Sequence, residues 1–369
     1  MKSKKIKLVI FHPYSTKGGA DKSISRLING LNKKKYEIIF LTLRKPYIKN
    51  YLTKKIKIIE INSSKTIFSI FKIRKVLKKF LKSENVIFFS NQNFANVISF
   101  FILNGFKNIK HVIIERNHIN EFNYYKNILD FFKKKIIKLL MIILYKKADL
   151  VIGNAKQLSK DLSKITKSKV KTIYNPALDN SIFQLAKKKI NIKKNKNIIL
   201  NIGRLEIQKD QITILKAIKN IDNIYLIIIG YGSLKKELTN YINNNKLKNK
   251  VVILENVSNP YPYFKISKLF ILSSLYEGFP NVLTEALMFK LPVISSNCNS
   301  GPSEILMQKK GPQIFNKGNH KELRKKILSF LKNEKLITNR KALLRRGLNR
   351  FKKENIIKEF DKTFFNLFS

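Results

Sequence analysis

Two glutamates eight residues apart, Glu277 and Glu285, flank a loop and the start of a helix. The apolar run Leu269-Phe270-Ile271-Leu272 reads as a buried strand and ends in Ser273 and Ser274. A loop holding Glu277, Gly278, Phe279 and Pro280 follows, and then Val282, Leu283, Ala286, Leu287 and Phe289 recur at helical spacing. Pro280 closes the loop, and Asn281 is the expected N-cap. The first N–H groups of a helix have no intrahelical partners, so those near Asn281–Leu283 would form an anion site at the carboxyl end of a strand. Glu277 precedes the helix and Glu285 lies one turn into it, so the two carboxylates should bracket its start without touching. Two acceptors around an anion cradle suit a ligand with hydroxyls at both ends and phosphate between them, the layout of a nucleotide-sugar. An ordinary strand–loop–helix unit, with Glu285 balancing the helix dipole, fits the same residues.

A second group carries positive charge. Gly203-Arg204-Leu205-Glu206-Ile207-Gln208-Lys209-Asp210 follows the apolar strand Ile198–Ile202. Gly203 lets the chain turn, and Arg204 with Lys209 places a forked donor and a point charge on one loop. That pairing is what a departing diphosphate requires. In so lysine-rich a chain Lys209 could stand there by composition; Arg204 is less easily explained so, because only ten of the 75 basic residues are arginine. Gly230-Tyr231-Gly232-Ser233 after the strand Tyr225–Ile229, and Gly18-Gly19-Ala20-Asp21 after the first strand, are weaker signals. Both are glycine turns where backbone could approach a ligand closely. Glu115-Arg116-Asn117-His118 follows the strand His111–Glu115 at an edge where open sheets bind ligands. A lone histidine is more often structural, as His12 and His111, within or at the edge of strands, are expected to be.

These residues need strands to position them. Short β-type runs at Lys7–Phe11, Glu37–Leu43, Lys57–Ile61, Val86–Phe89, His111–Glu115, Leu150–Gly153 and Lys171–Tyr174 alternate with helical patterns, which implies a parallel sheet with crossover helices. Tyr174-Asn175-Pro176 closes that half, and the polar, lysine-rich stretch up to Asn197 is a credible linker. A second set of strands then starts afresh, with Pro292–Ser295 after the glutamate motif. At 369 residues two domains are expected. Residues Ile67–Leu81 form a basic amphipathic pattern, a crossover helix whose charged side could meet a bilayer. Phe131–Lys147 is more continuously apolar and is expected primarily as a buried helix, with attachment to a membrane surface the other option.

Composition narrows the class. Apolar residues make up 44% of the chain, enough for large cores and against disorder. One cysteine, Cys298, provides neither a disulfide framework nor a thiolate metal site. The net charge is +52, and residues 1–175 hold 39 basic against 9 acidic residues. With Lys, Ile and Asn abundant together, part of that excess is explicable as compositional drift, yet the field would still attract polyanions and anionic bilayers. Arginine clustering and a base-reading motif, which a nucleic-acid reader would show, are absent from the sequence. The start, Met1 to Phe11, is interrupted by Lys7 and followed by His12-Pro13, so a buried strand is expected rather than a signal peptide. No apolar run approaches the roughly 18 residues of a membrane span, and a cytoplasmic protein is expected.

The run Glu277-Gly278-Phe279-Pro280-Asn281-Val282-Leu283-Thr284-Glu285-Ala286-Leu287 resembles the E-x7-E motif of retaining GT-B glycosyltransferases, in particular glycosyltransferase family 4. The Gly203–Asp210 segment is similar to that family's G-R-L-x-x-Q-K-D, and Cys298–Ile305 to its C-x-S-G-P-x-E-I turn. Asn259-Pro260-Tyr261-Pro262-Tyr263 resembles members that build bacterial surface glycans. The resemblance covers nearly the whole chain, most closely from Ile198 to Leu306. It implies a GT-B fold, α/β, with two Rossmann-like domains facing across a cleft that holds the active site. The domains would be 1–176, a linker 177–197, a nucleotide-sugar domain 198–350, and a helix 351–369 returning to the first.

The implied activity is retaining transfer of a sugar from a nucleotide-diphosphate donor, a UDP-sugar, to a glycan or lipid-linked glycan in cell-surface polysaccharide synthesis. Arg204 and Lys209 would steady the departing diphosphate, Glu277 would bind sugar hydroxyls, Glu285 the ribose, and His118 would contact the transferred sugar. Gly18, Gly19, Gly203, Gly230, Gly278, Phe279, Pro280, Asn281 and Leu283 would line the donor. No D-x-D is present, so no metal or other cofactor is expected, and positive side chains and helix ends would take that work. Expected partners are the donor, the acceptor and the anionic inner face of the cytoplasmic membrane, with no specific nucleic acid. Between Ile305 and Lys321 the chain is shorter than in many relatives. Two other readings stay open here: a basic nucleic-acid-binding protein, and a sugar-nucleotide-binding scaffold without turnover.

Overall fold

Strands buried on both faces of a parallel sheet need continuous Val, Ile and Phe, and the short apolar runs of this chain have that composition. A computed structural model describes residues 5–16, 18–53, 55–79, 85–192, 196–333 and 347–369. The chain divides into two units, Met1–Pro176 with Phe351–Ser369, and Ala177–Arg350.

In the first unit β1 (Ile6–Phe11), α1 (Gly19–Gly30), β2 (Tyr36–Thr42), β3 (Lys57–Glu60), α2 (Ile70–Lys78) and β4 (Val86–Asn91) come first. Then follow α3 (Asn93–Leu103), β5 (Ile109–Glu115), α4 (Ile128–Leu144), β6 (Leu150–Gly153), α5 (Lys156–Thr166) and β7 (Val170–Thr172). The strands pair in parallel in the order β3-β2-β1-β4-β5-β6-β7, with Val9 opposite Ile39 on one side and Phe88 on the other. The order reverses between β1 and β4, so the loops leaving these two strands diverge and open a crevice at their carboxyl ends.

The second unit contains α6 (Ser181–Leu185), β8 (Asn197–Ile202), α7 (Gln211–Ile218), β9 (Ile224–Ile229), α8 (Lys235–Asn244), β10 (Val251–Leu254) and α9 (Tyr261–Ile266). It continues through β11 (Leu269–Leu272), α10 (Asn281–Met288), β12 (Val293–Ser296), α11 (Pro302–Leu306), β13 (Ile314–Phe315) and α12 (His320–Lys332). Its sheet is also parallel, ordered β10-β9-β8-β11-β12-β13, with the reversal between β8 and β11. Strands β10 and β13 were not expected; a two-residue strand has no periodicity to read, and β10 is a four-residue run bordered by Lys250 and Glu255.

The last helix, α13 (Lys353–Phe365), completes the core of the first unit. Its Ile356, Phe360 and Phe364 join Ile6, Leu8, Ile10, Ile24 and Leu27 in one buried cluster, and the Phe360 and Phe364 rings lie 6.1 and 5.7 Å from Phe89. Each such side chain contributes on the order of 1.5–3 kcal/mol by leaving water. Gly30 permits the approach: a Cβ there would stand 1.9 Å from Ile357 Cδ1. Tyr36 fixes the register by donating to Asp361 Oδ1 at 2.7 Å.

Three expectations change. The stretch 177–197, read as a linker, folds in part as α6, with Ile182 buried and the Phe183 ring 5.2 Å from Phe289. Residues Ile67–Ser69 form a 3-10 turn ahead of α2, and Phe80 and Leu81 lie outside the described residues. The third change is the largest. Helix α4, expected to be buried, buries only Ile137 and Met141 and leaves a broad apolar face exposed. Continuous hydrophobicity around a helix identifies apolar sides but not how many of them find a neighbour.

Candidate active site

Chemistry-bearing residues of the second unit meet where β8 and β11 separate. Gly203 follows β8, and its N–H donates to Ile229 O at 3.0 Å. Gly230 follows β9, and a Cβ there would sit 1.9 Å from Gly203 O, so only glycine lets these two backbones touch. The contact continues as Leu205 N–H donates to Tyr231 O at 2.8 Å. The loop after β8 is thus held rigidly on its neighbour before it reaches its cations.

Gln208 then stitches this loop to the one after β11. Its Oε1 accepts from Arg204 Nη2 at 3.0 Å, and its Nε2 donates to Tyr276 O at 3.0 Å. Its carbonyl accepts from Leu275 N–H at 2.8 Å, and Ser273 Oγ donates to Lys209 O at 2.7 Å. Arg204 remains exposed, with its guanidinium held by one neutral partner and therefore still a full charge for an anion. The Lys209 stem crosses Gly203, whose added Cβ would come within 3.2 Å of it. Lys209 Nζ and Ser274 Oγ (2.7 Å) both donate to Glu277 Oε1. Glu277 and Lys209, assigned from sequence to sugar and diphosphate separately, are therefore joined in one ion pair.

Helix α10 begins with Asn281, and Pro280 occupies the N-cap, one residue earlier than expected. Proline carries no N–H and has a fixed φ, which suits it to the last residue outside the helix. Leu283 N–H is already donated to Pro280 O at 3.0 Å, so this donor is not among the unsatisfied ones the sequence suggested. Glu285, buried, accepts from Tyr261 OH at 3.2 Å. The loop after β12 presses on the other side. Gly301 has φ +79°, and a Cβ would stand 2.2 Å from Gly278 O and 2.6 Å from Pro280 Cδ. Ser300 Oγ donates to Gly278 O at 3.3 Å. Phe279 is buried. Burial, reinforced by the Glu277 charge, pushes the Cys298 thiol up to about 12, so it is inert at neutral pH.

In the first unit Gly18 is the N-cap of α1 and Gly19 its first residue. At Gly18 φ is an ordinary −83°, and the nearest atom to an added Cβ is Thr16 Oγ1 at 3.4 Å, so the fold itself does not demand glycine there. His118 is 1% exposed. Its Nδ1 accepts from Asn120 N–H at 3.2 Å and its Nε2 lies 2.8 Å from Asp161 Oδ2. That geometry sets the Nε2–H tautomer, and it occupies both ring nitrogens in holding the loop after β5. His12 and His111 are buried and structural, with burial taking His111 down to about 3.

Sequence reasoning missed the residues that do the joining: Gln208, Ser273, Ser274 and, as the partner of Glu285, Tyr261. It also missed a polar cluster under the first sheet's edge. Buried Arg116 donates to Asn91 Oδ1 at 2.9 Å, to Asn175 Oδ1 at 3.0 Å and to Ser23 Oγ at 3.1 Å. Beside it Glu115 is raised to about 8 by burial, against the opposing hydrogen bonds from Tyr145 and Asn96. Polar residues ending apolar strands were the only signal available for these.

The glycosyl transferases group 1 family matches residues 183–346. An uncharacterized glycosyltransferase of Methanocaldococcus jannaschii is 34% identical over 298 residues, 74% of this chain and 72% of its own length. The N-acetylgalactosamine-N,N'-diacetylbacillosaminyl-diphospho-undecaprenol 4-alpha-N-acetylgalactosaminyltransferase of Campylobacter jejuni is 31% identical over 225 residues, 60% of each chain. Among solved structures, Anabaena HepE in complex with UDP and glucose superposes with a TM-score of 0.77 at 15% identity, covering 97% of this chain and 99% of that one. The fold is accordingly GT-B, built of two Rossmann-like units. With sheet topology, loop geometry and sequence kinship agreeing, the chain belongs to the glycosyl transferases group 1 and is a glycosyltransferase.

Proposed function

We propose that this enzyme takes a sugar from a nucleotide-diphosphate donor, a UDP-sugar, and places it with retention on a lipid-linked glycan during cell-surface polysaccharide synthesis. The observation that carries the reading is the joining of the Gly203–Lys209 loop to the Ser273–Glu285 turn by Gln208 and Ser273, with Lys209 seated on Glu277. An exposed guanidinium, an ammonium and a helix start then lie on two loops laced together, a preorganised set of positive groups for a diphosphate. Glu277 meets the sugar hydroxyls, and Glu285, oriented by Tyr261, meets the ribose. The named activity of the Campylobacter relative supports the acceptor class, and the UDP bound to HepE supports the nucleotide.

In the proposed reaction the bond between the anomeric carbon and the diphosphate oxygen breaks as Arg204 and Lys209 take up the developing charge. The leaving oxygen accepts the proton of the acceptor hydroxyl, and the new glycosidic bond forms on the same face. Contact of His118 with the transferred sugar requires its Nε2–H to exchange Asp161 for a sugar hydroxyl. Thermal unfolding with a panel of UDP- and GDP-sugars tests the donor class, because a ligand held only by the native state raises apparent stability. A UDP-sugar should stabilise the protein and turn over, while Arg204→Ala and Glu285→Ala should lose turnover and keep the fold. Full activity in both variants would overturn the assignment.

A further inference from the structure

Helix α4 carries six large apolar side chains in solvent: Ile128, Leu129, Phe132, Ile136, Leu139 and Ile143, with Leu129 at 76% exposure. At 100° per residue all six fall in a sector of roughly 100°, opposite Ile137 and Met141, which anchor the helix to the core. Seventeen residues give the stripe a length of about 25 Å. An apolar stripe of this extent is far more than the scattered hydrophobic surface that any soluble protein shows.

Charge identifies what covers it. Lys133 and Lys135 border the stripe on its two sides, Lys138 lies one turn on, and Lys146 and Lys147 follow the helix end. The helix has a single acid, Asp130, on the inner side, where it accepts from Lys126 N–H at 3.1 Å and pairs with Lys134 at 3.2 Å. A second copy of this chain would bring two rows of lysines together on proteins of net charge +52, which repulsion disfavours. A surface that is apolar in depth and anionic at its rim satisfies both features. Among the described residues no helix is long and apolar enough to cross a membrane, so the helix would lie flat.

We propose that the outward face of α4 inserts to the boundary between headgroups and acyl chains of an anionic bilayer, with the flanking lysines at the lipid phosphates. This goes beyond the donor chemistry proposed above and is measured without it. The chain contains no tryptophan, so Phe132→Trp installs a single emission reporter in the stripe. The probe is phosphatidylcholine vesicles with and without about 30 mol% phosphatidylglycerol at about 0.15 M salt, where surface charge still acts across a Debye length. Emission should shift to the blue and be quenched by acyl-brominated lipid, with the anionic vesicles only. In that background Leu129→Ser with Leu139→Ser should lower partitioning at least roughly 100-fold. Lys133→Gln with Lys135→Gln should lower it roughly 30-fold. Thermal unfolding should be unaltered in each variant, because these side chains are exposed. Absence of binding, or binding with an unshifted, unquenched reporter, would overturn insertion. So would a blue shift that needs no vesicles and follows protein concentration, which would assign the face to a second copy.

Discussion

Replacing Lys209 by methionine removes an ammonium while keeping most of the stem that crosses Gly203. The Glu277 side chain is 6% exposed and that of Lys209 16%, and Ser274 Oγ also donates to Glu277 Oε1 at 2.7 Å. Breaking so buried a pair from one side strands a carboxylate and costs about 3–5 kcal/mol. The surviving serine bond reduces the expectation to about 2–4 kcal/mol, or a fall of roughly 4–16 °C in the transition of a unit this size. Glu277→Gln in the same chain removes the stranded charge, so the double variant should regain at least about half of that loss. Turnover should not follow. Both Lys209→Met and the double variant lack the cation for the diphosphate and should fall by about 10²–10³ in kcat. Thermal unfolding of the two single variants and the double, run beside single-turnover sugar transfer, separates these effects. Coupling in stability below about 0.5 kcal/mol would show the pair to be energetically inert. Recovery of turnover together with stability in the double variant would refute the role of Lys209 in the chemistry.

Two further outcomes are expected. Gly301→Ala should destabilise the second unit by several kcal/mol, since its Cβ would overlap Gly278 O at φ +79°, and donor affinity should fall with it; native melting would contradict the packing described. Glu115 is raised to about 8 in the folded protein, so the native state binds its proton more tightly than the unfolded chain does. That contribution to stability is complete at acid pH below the ordinary carboxyl range and is lost as pH rises through about 8. Glu115→Gln should flatten the decline in denaturant midpoint over that window, and an unchanged slope would show that Glu115 is ionised in the folded state.

Much of this protein was legible in its residues. The β-type runs at Lys7–Phe11, Ile198–Ile202 and Leu269–Leu272 became central strands because short apolar runs between turn signals have few other uses. The glutamate motif and the Gly203–Asp210 segment were recognisable because their residues stand at short, fixed spacings along the chain. What sequence could not supply was partnership. Gln208 reaches Tyr276 and Lys209 reaches Glu277 across 68 residues because β8 and β11 are neighbours in a parallel sheet, and Tyr261 reaches Glu285 because α9 and α10 flank β11. The same limit produced the error at α4. Side-chain hydrophobicity is a property of the residue, whereas burial depends on whether another element arrives to cover it. The chain thus determines on its own which segments become strands and which charged and polar groups their loops carry. Tertiary structure decides which of those groups meet, and which apolar face is left for something outside the protein, because both depend on contacts between segments that sequence order does not fix.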